Sequence, residues 1–137
     1  MDIKEKIKYF YEIISSNNRI EVFPEYVSEN CTVRIGKNIF PTGIDGMKQH
    51  FIDVRKTYPD LKITVIRQYC DSDYVISEII VGGTHRGEWL GMKPTGKKLL
   101  FTGVDTDKIA NGKIIEHGGA INTFETLFEE KIIQPCP

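Results

Sequence analysis

Two aspartates, Asp105 and Asp107, occupy alternate positions in a segment whose apolar pattern predicts a β-strand. Residues two apart in a strand share a face, so both carboxyl groups point to the same side of the sheet. If that side is the interior, each carboxylate raises the pKa of the other, and one becomes an acid that works near neutral pH. If that side is solvent, the pair is an ordinary charged strand end. The sequence leaves both interpretations open.

Two histidines, His85 and His50, are further candidates, because imidazole titrates near neutral pH. His85 could act as an acid or base in a pocket, or it could fix a bend between strands through a bond to the backbone. His50 falls at the edge of the apolar stripe of a predicted helix. That position is compatible with the rim of a pocket or with plain surface.

Aromatic side chains could form the wall of an apolar site. Trp89 is the only tryptophan and could lie at a pocket mouth or over a bound ligand, because its body is apolar while its N–H needs a partner. The other wall candidates are Tyr9, Tyr26, Tyr58 and Phe51, together with His50. Aromatic residues on amphipathic helices usually belong to the core, which is the favoured interpretation for Phe51 and Tyr58.

Apolar residues spaced three and four apart predict the helices that position these groups. Residues 3–14 form an N-terminal amphipathic helix, and residues 44–58 form the clearest helix of the chain, which Pro59 ends. A short second helix is predicted over residues 24–28, where a proline suits the first turn. Residues 124–133 form either a short helix or a tail that packs over a sheet edge.

Alternation of apolar and polar residues predicts strands in the second half of the chain. After a brief strand at 32–35, residues 61–65 and 74–81 form a hairpin. A second hairpin, 99–109 with 113–122, turns at Asn111-Gly112, which suits the positive φ angles of a tight turn. Helices followed by an antiparallel meander predict an α+β fold with the helices on one face of a strongly curved sheet. The enclosed space is the usual place for a small-molecule site.

The composition disfavours several classes of protein. The chain has 137 residues, 40% hydrophobic and 27% charged, as expected for one globular domain. Its 18 Lys and Arg and 19 Asp and Glu give a net charge of −1, without the basic face of a nucleic-acid binder. Three cysteines without a C-x-x-C pair fit neither a zinc site nor a disulfide framework. No signal peptide or membrane span is recognisable, which predicts a cytoplasmic protein.

The segment from Gly83 to Gly96, GTHRGEWLGMKPTG, resembles the signature G-T-H-x-G-x-(aromatic)-x-G-x-x-P-T-G of the SnoaL-like polyketide cyclase family. FTGVD at 101–105 and NGKIIEH at 111–117 resemble the next two strands of that family. The order of elements agrees as well, so the resemblance covers nearly the whole chain. It implies one SnoaL-like domain over residues 1–137, with the cone-shaped barrel of the nuclear transport factor 2-like (cystatin-like) superfamily, its deep pocket, and a homodimer.

SnoaL-like cyclases close a polyketide ring by an intramolecular aldol step, with no metal and no organic cofactor. Their last strand carries E-H-W and then an Asp that serves as acid or base; here Gly118 stands in place of the Trp and Asn122 in place of the Asp. An amide can orient a carbonyl or stabilise an enolate but cannot exchange a proton. The resemblance implies that Gly118 and Asn122 face inward, which leaves space in the pocket, and that His117 faces outward or meets a dimer partner.

These observations lead to two main functional hypotheses. The first is cofactor-free acid/base chemistry, ring-closing or isomerising, on a hydrophobic oxygenated small molecule; its candidate catalytic residues are His85, Asp105, Asp107 and Asn122. The second is binding of a lipid, steroid or polyketide-like ligand without catalysis, which Asn122 in place of the Asp favours. A third hypothesis is an interaction module whose open sheet face binds another protein.

Overall fold

Asp2 caps the first helix of the computed structural model, which describes residues 2–136. Its carboxylate accepts a hydrogen bond from the Glu5 N–H at 2.9 Å, and the Glu5 side chain bonds the Asp2 N–H in return. Helix α1, Ile3–Tyr9, continues directly into a π-helical segment, Phe10–Ser15. The predicted helix over residues 3–14 is therefore confirmed, with a wider second half.

The remaining helices agree with the sequence pattern to different degrees. Helix α2 spans Gly43–Thr57, within one residue of its prediction, and α3 spans Thr123–Glu129. The predicted helix at 24–28 is wrong: a 3₁₀-helix occupies Ile20–Glu25, and the chain is already extended from Val27 onward. No helix within residues 2–136 has the length and apolarity needed to cross a membrane.

Six strands form one sheet in the order β2-β1-β6-β5-β4-β3. Their bounds are β1 Val27–Ile35, β2 Asn38–Phe40, β3 Lys62–Asp71, β4 Tyr74–Thr84, β5 Lys98–Ala110 and β6 Lys113–Asn122. Strands β3 to β6 form the predicted antiparallel meander, and β1 adds to it by pairing parallel with β6. Strands β2 and β3 remain free edges, so the expectation of a barrel is corrected: the curved sheet is open.

Two hydrophobic clusters fill the space between the sheet and the helices. The larger joins α1, the π-helical segment and α2 to the inner face of the sheet, with Phe10, Phe23 and Met47 fully buried. The smaller gathers Tyr58 and Leu61 after α2 with residues of β5 and α3. A cavity opens where the two clusters meet.

Candidate functional site

A cavity of about 400 Å³ lies between α2 and the inner face of the sheet. Its wall is mostly apolar and takes side chains from both hydrophobic clusters. The ionisable groups on the wall are Tyr11, His50, Asp53, Tyr58, Asp105 and His117. None of the described residues that line the cavity is a lysine or an arginine, so acidic groups and imidazoles set its electrostatics.

Strand β5 brings both aspartates to the inner face of the sheet. Asp105 is 8% exposed and lines the cavity, whereas Asp107 is completely buried behind it. Asp105 lies between Ser77 of β4 and Gly119 of β6, and Asp107 lies beside His117. Of the two orientations that the sequence left open, the structure has the interior one.

Asp107 holds His117 and Tyr11 in a buried hydrogen-bond network. His117 Nδ1 lies 2.7 Å from Asp107 Oδ1, and the Tyr11 hydroxyl donates to Asp107 Oδ2 at 2.5 Å. The same hydroxyl lies 3.2 Å from His117 Nδ1. Because Nδ1 is engaged, the ring orientation is fixed, and Nε2 has no hydrogen-bond partner among the described residues on a ring that lines the cavity.

The network gives His117 a positive charge at neutral pH. Burial alone lowers the pKa of His117, but the negative charge and hydrogen bond of Asp107, reinforced by Asp105, raise it to about 9. The imidazolium therefore persists inside an apolar wall. An N–H donor with a full positive charge is suited to stabilise negative charge on a substrate oxygen.

Whereas His117 keeps its charge at neutral pH, Asp105 changes its charge there. Burial raises its pKa first, the His117 charge counteracts that effect, and Asp107 raises the pKa again, while the Tyr11 hydroxyl lowers it. The result is a pKa of about 7. A carboxyl group in that range is suited both to accept and to return a proton.

Gly119 provides the space that the Asp105 carboxyl occupies. The φ angle of Gly119 is +142°, and a Cβ at this position would lie 2.9 Å from Asp105 Oδ1 and would also collide with the Val104 carbonyl oxygen. A side chain at position 119 would therefore displace either β5 or the carboxyl group.

The expected orientation of β6 is wrong. His117 faces the cavity, whereas Asn122 and Gly118 face away from it. The reason is a β-bulge: β5 pairs Lys108 with Glu116 and Ile109 with Ile114, which leaves one extra residue on β6. The extra residue reverses the alternation, so positions 117, 119 and 121 face inward.

Asn122 and Gly118 make contacts that belong to the fold rather than to the cavity. The Asn122 side chain caps α3 by accepting from the Glu125 N–H, and its Nδ2 donates to the Glu125 carboxylate at 2.7 Å. Gly118 lies against the guanidinium group of Arg34 on the outer face of the sheet. The replacement of an Asp by Asn122 thus changes a helix cap rather than the cavity wall.

His85 lies outside the cavity wall and is completely buried. Its Nδ1 is 3.1 Å from the Thr95 hydroxyl, its backbone N–H donates to the Lys97 carbonyl, and its carbonyl accepts from the Gly96 N–H. These bonds fix the segment between β4 and β5, in agreement with the structural alternative that the sequence left open for this histidine.

Of the residues that the sequence suggested for the wall of a pocket, some line the cavity and others do not. Trp89, Phe51 and His50 line it, whereas Tyr9 and Tyr26 do not. Tyr9 is 40% exposed, and Tyr26 packs against Phe10 with ring centroids 5.4 Å apart.

Sequence reasoning missed Tyr11, Gly119 and the inward orientation of His117. Tyr11 follows Ile7 by four residues, so it belongs to the apolar stripe of the first helix and was recognisable as a buried hydroxyl. Gly119 and His117 depend on the bulge in β6, which no local sequence signal marks.

Comparisons with known proteins agree with this architecture. A family model described as SnoaL-like polyketide cyclase matches residues 5–128. AclR from Streptomyces galilaeus, a suggested hydroxylase, superposes with a TM-score of 0.77 at 24% identity, over 99% of this chain and 91% of AclR. IdmH from Streptomyces antibioticus, a suggested polyketide cyclase, gives 0.78 at 19% identity, over 93% of this chain and 96% of IdmH.

A SnoaL-like polyketide cyclase from Agrobacterium tumefaciens gives a TM-score of 0.81 at 14% identity, over 97% of this chain and 100% of that one. Among curated proteins, none matches the chain. At these identities the solved structures establish a common fold, and the residues of this chain must account for its chemistry.

Proposed function

Because the chain belongs to the SnoaL-like polyketide cyclase family, we propose that it catalyses a cofactor-free proton transfer, ring-closing or isomerising, on a hydrophobic oxygenated small molecule. One observation carries the proposal: Asp105, with a pKa of about 7, lies beside the charged imidazole of His117 on the wall of an apolar cavity. The pair combines a base with a donor for the oxygen that becomes negative.

Asp105 begins the reaction by removing a proton from the carbon next to a substrate carbonyl. The electron pair of the broken C–H bond moves into the carbonyl group and forms an enolate. His117 Nε2–H donates a hydrogen bond to the enolate oxygen, and Asp107 keeps the imidazole charged throughout. The proton remains on Asp105 until a second group needs it.

The enolate then reacts in one of two ways, and in each the proton held by Asp105 returns to the substrate. In an aldol ring closure the enolate carbon attacks a second carbonyl of the same molecule, a C–C bond forms, and the new alkoxide takes the proton from Asp105. In an isomerisation the substrate carries a C=C bond next to the carbon that lost the proton, the enolate is a dienolate, and Asp105 returns the proton to its far carbon, so the C=C bond moves into conjugation with the carbonyl group. The apolar wall formed by Tyr58, Trp89 and Phe101 favours a folded hydrophobic substrate and excludes water.

Hydrogen–deuterium exchange tests the shared first step without knowledge of the natural substrate. We expect the protein to accelerate deuterium incorporation next to the carbonyl of 2-tetralone, measured by mass spectrometry in D2O. Asp105→Asn should slow the enzyme-dependent exchange about 100-fold or more, because an amide cannot accept the proton. The rate should rise with pH through about 7, as Asp105 loses its proton.

Glu116→Gln is the matched control, since it also converts an acid to an amide but lies on the outer face next to His117, paired with Arg34. Its exchange rate should equal that of the unaltered protein. If 2-tetralone exchanges no faster with the protein than in buffer, or if Asp105→Asn exchanges normally, acid/base catalysis by Asp105 is rejected, and binding without catalysis becomes the favoured function.

A further inference from the structure

Two imidazole rings from different elements lie close together on the cavity wall, one of them, His50, exposed to solvent and the other, His117, buried. His50 comes from α2 and His117 from β6, and both line the wall. Their ring centroids are 6.4 Å apart, with the planes inclined by 49°. The proposed reaction uses His117 and Asp105 and leaves His50 without a role.

His50 is available for a ligand. Its ring packs edge to face against Phe51, with centroids 5.5 Å apart, and among the described residues its ring nitrogens make no hydrogen bond. Loss of solvent around the ring, and then the nearby charge of His117, lower the pKa of His50, while Asp53 raises it. His50 is therefore uncharged at neutral pH and can present an N–H from either nitrogen.

The spacing of the two rings fits one shared acceptor. A hydrogen bond of about 2.9 Å places an acceptor oxygen roughly 4 Å from the centroid of the donating ring. Two rings 6.4 Å apart can both reach such an oxygen, with an angle of about 100° between the two bonds. That angle is close to the lone-pair directions of a carbonyl or enolate oxygen.

We propose that His50 and His117 form an oxyanion cleft, in which both imidazoles donate to one oxygen of an enolisable ketone and of its enolate. The inference rests on the proposed function, since this oxygen belongs to the carbonyl whose neighbouring carbon loses its proton to Asp105. His50 is then a catalytic residue that supplies the second, uncharged donor. The reacting carbonyl lies between α2 and β6, and the hydrocarbon body of the ligand lies along the apolar wall.

Binding of a stable enol mimic tests the cleft without any turnover. The probe is 2-naphthol, whose oxygen on an sp2 carbon resembles that of an enol and accepts hydrogen bonds, and the reference is 2-methylnaphthalene, which has the same shape but no oxygen. Equilibrium dialysis at pH 7.5 should show at least tenfold tighter binding of the naphthol. His50→Leu should weaken naphthol binding about tenfold and leave 2-methylnaphthalene unchanged, because only the oxygen loses a donor.

Two further variants separate the donor from its surroundings. His50→Gln keeps an N–H donor and should recover part of the naphthol preference. Lys48→Leu is the matched control: it places the same apolar side chain on α2 near His50 but outside the cavity wall, and should bind both probes normally.

The proposal is overturned if the unaltered protein does not prefer the naphthol, or if the preference survives His50→Leu. Asp105→Asn distinguishes this inference from the proposed function, because it should abolish ketone exchange and keep the naphthol preference. A protein that shows the His50-dependent preference but no Asp105-dependent exchange would retain the cleft and lose the proposed reaction.

Discussion

One carboxyl group, Asp107, decides the charge of the candidate site. Without its charge, burial dominates the environment of His117 and favours the neutral ring. We therefore expect Asp107→Asn to lower the pKa of His117 clearly below its value of about 9. NMR titration of the imidazole C–H resonances measures this directly, and the chain has only 3 histidines to assign.

Asp53→Asn is the control for that titration, because Asp53 raises the pKa of His50 on the same helix. This variant should lower the pKa of His50 and leave His117 unchanged. If His117 in Asp107→Asn still titrates near pH 9, Asp105 rather than Asp107 keeps the ring charged, and the roles of the two aspartates in the mechanism must be exchanged.

At the scale of elements, β6 positions the site through two adjacent glycines with different surroundings. A methyl group on Gly119 meets the backbone of β5 and the Asp105 carboxyl, at a φ angle of +142°. On Gly118 its nearest contacts are with the side chain of Arg34, at 3.1 Å from the guanidinium and 3.4 Å from Cβ, and none of them is a backbone atom. We expect Gly119→Ala to lower the free energy of unfolding by about 2 kcal/mol more than Gly118→Ala does.

Urea denaturation of the two variants measures the difference, and each serves as the control for the other. Gly119→Ala should also reduce ketone exchange, because it displaces the Asp105 carboxyl, whereas Gly118→Ala should exchange normally. Equal stability of the two variants would show that β5 and β6 are not tightly fitted at Asp105.

The same strand explains how far the sequence could predict the structure. Alternation and the Asn111-Gly112 turn are local signals, and the structure confirms that hairpin with φ angles of +51° and +73°. The bulge in β6 has no such signal, because it arises where β6 joins β5 on one side and β1, from the other end of the chain, on the other side. His117 and Asn122 do lie on opposite faces, as the alternation predicts, but the inward face that the resemblance implied for Asn122 belongs to His117.

At the scale of the whole molecule, Asp105 and His117 both bind protons more tightly in the folded chain than in the unfolded one. The pKa of Asp105 rises from 3.8 to about 7, so its contribution to stability is complete below pH 3.8 and is lost as the pH rises through 7. The pKa of His117 rises from 6.5 to about 9, and its contribution is lost between those values. Both groups therefore make the folded chain less stable as the pH rises.

We therefore expect the free energy of unfolding to fall from about pH 4 to pH 9, by up to about 1.4 kcal/mol per pH unit for each proton involved. The lowered pKa of His50 acts in the opposite direction below about pH 6.5, but its shift is the smaller one. Urea denaturation at pH 5, 7 and 9 should rank the stability of the protein in that order. Asp105→Asn should remove the decrease between pH 5 and 7 and keep the decrease between 7 and 9, since His117 remains.

At pH 9 the same variant should be more stable than the unaltered protein, because it no longer keeps an ionised carboxylate in an apolar wall. A variant that loses stability between pH 5 and 7 as steeply as the parent would mean that Asp105 is not the group that titrates there. In that case its use as a base near neutral pH would fail together with the stability argument, because both depend on one raised pKa.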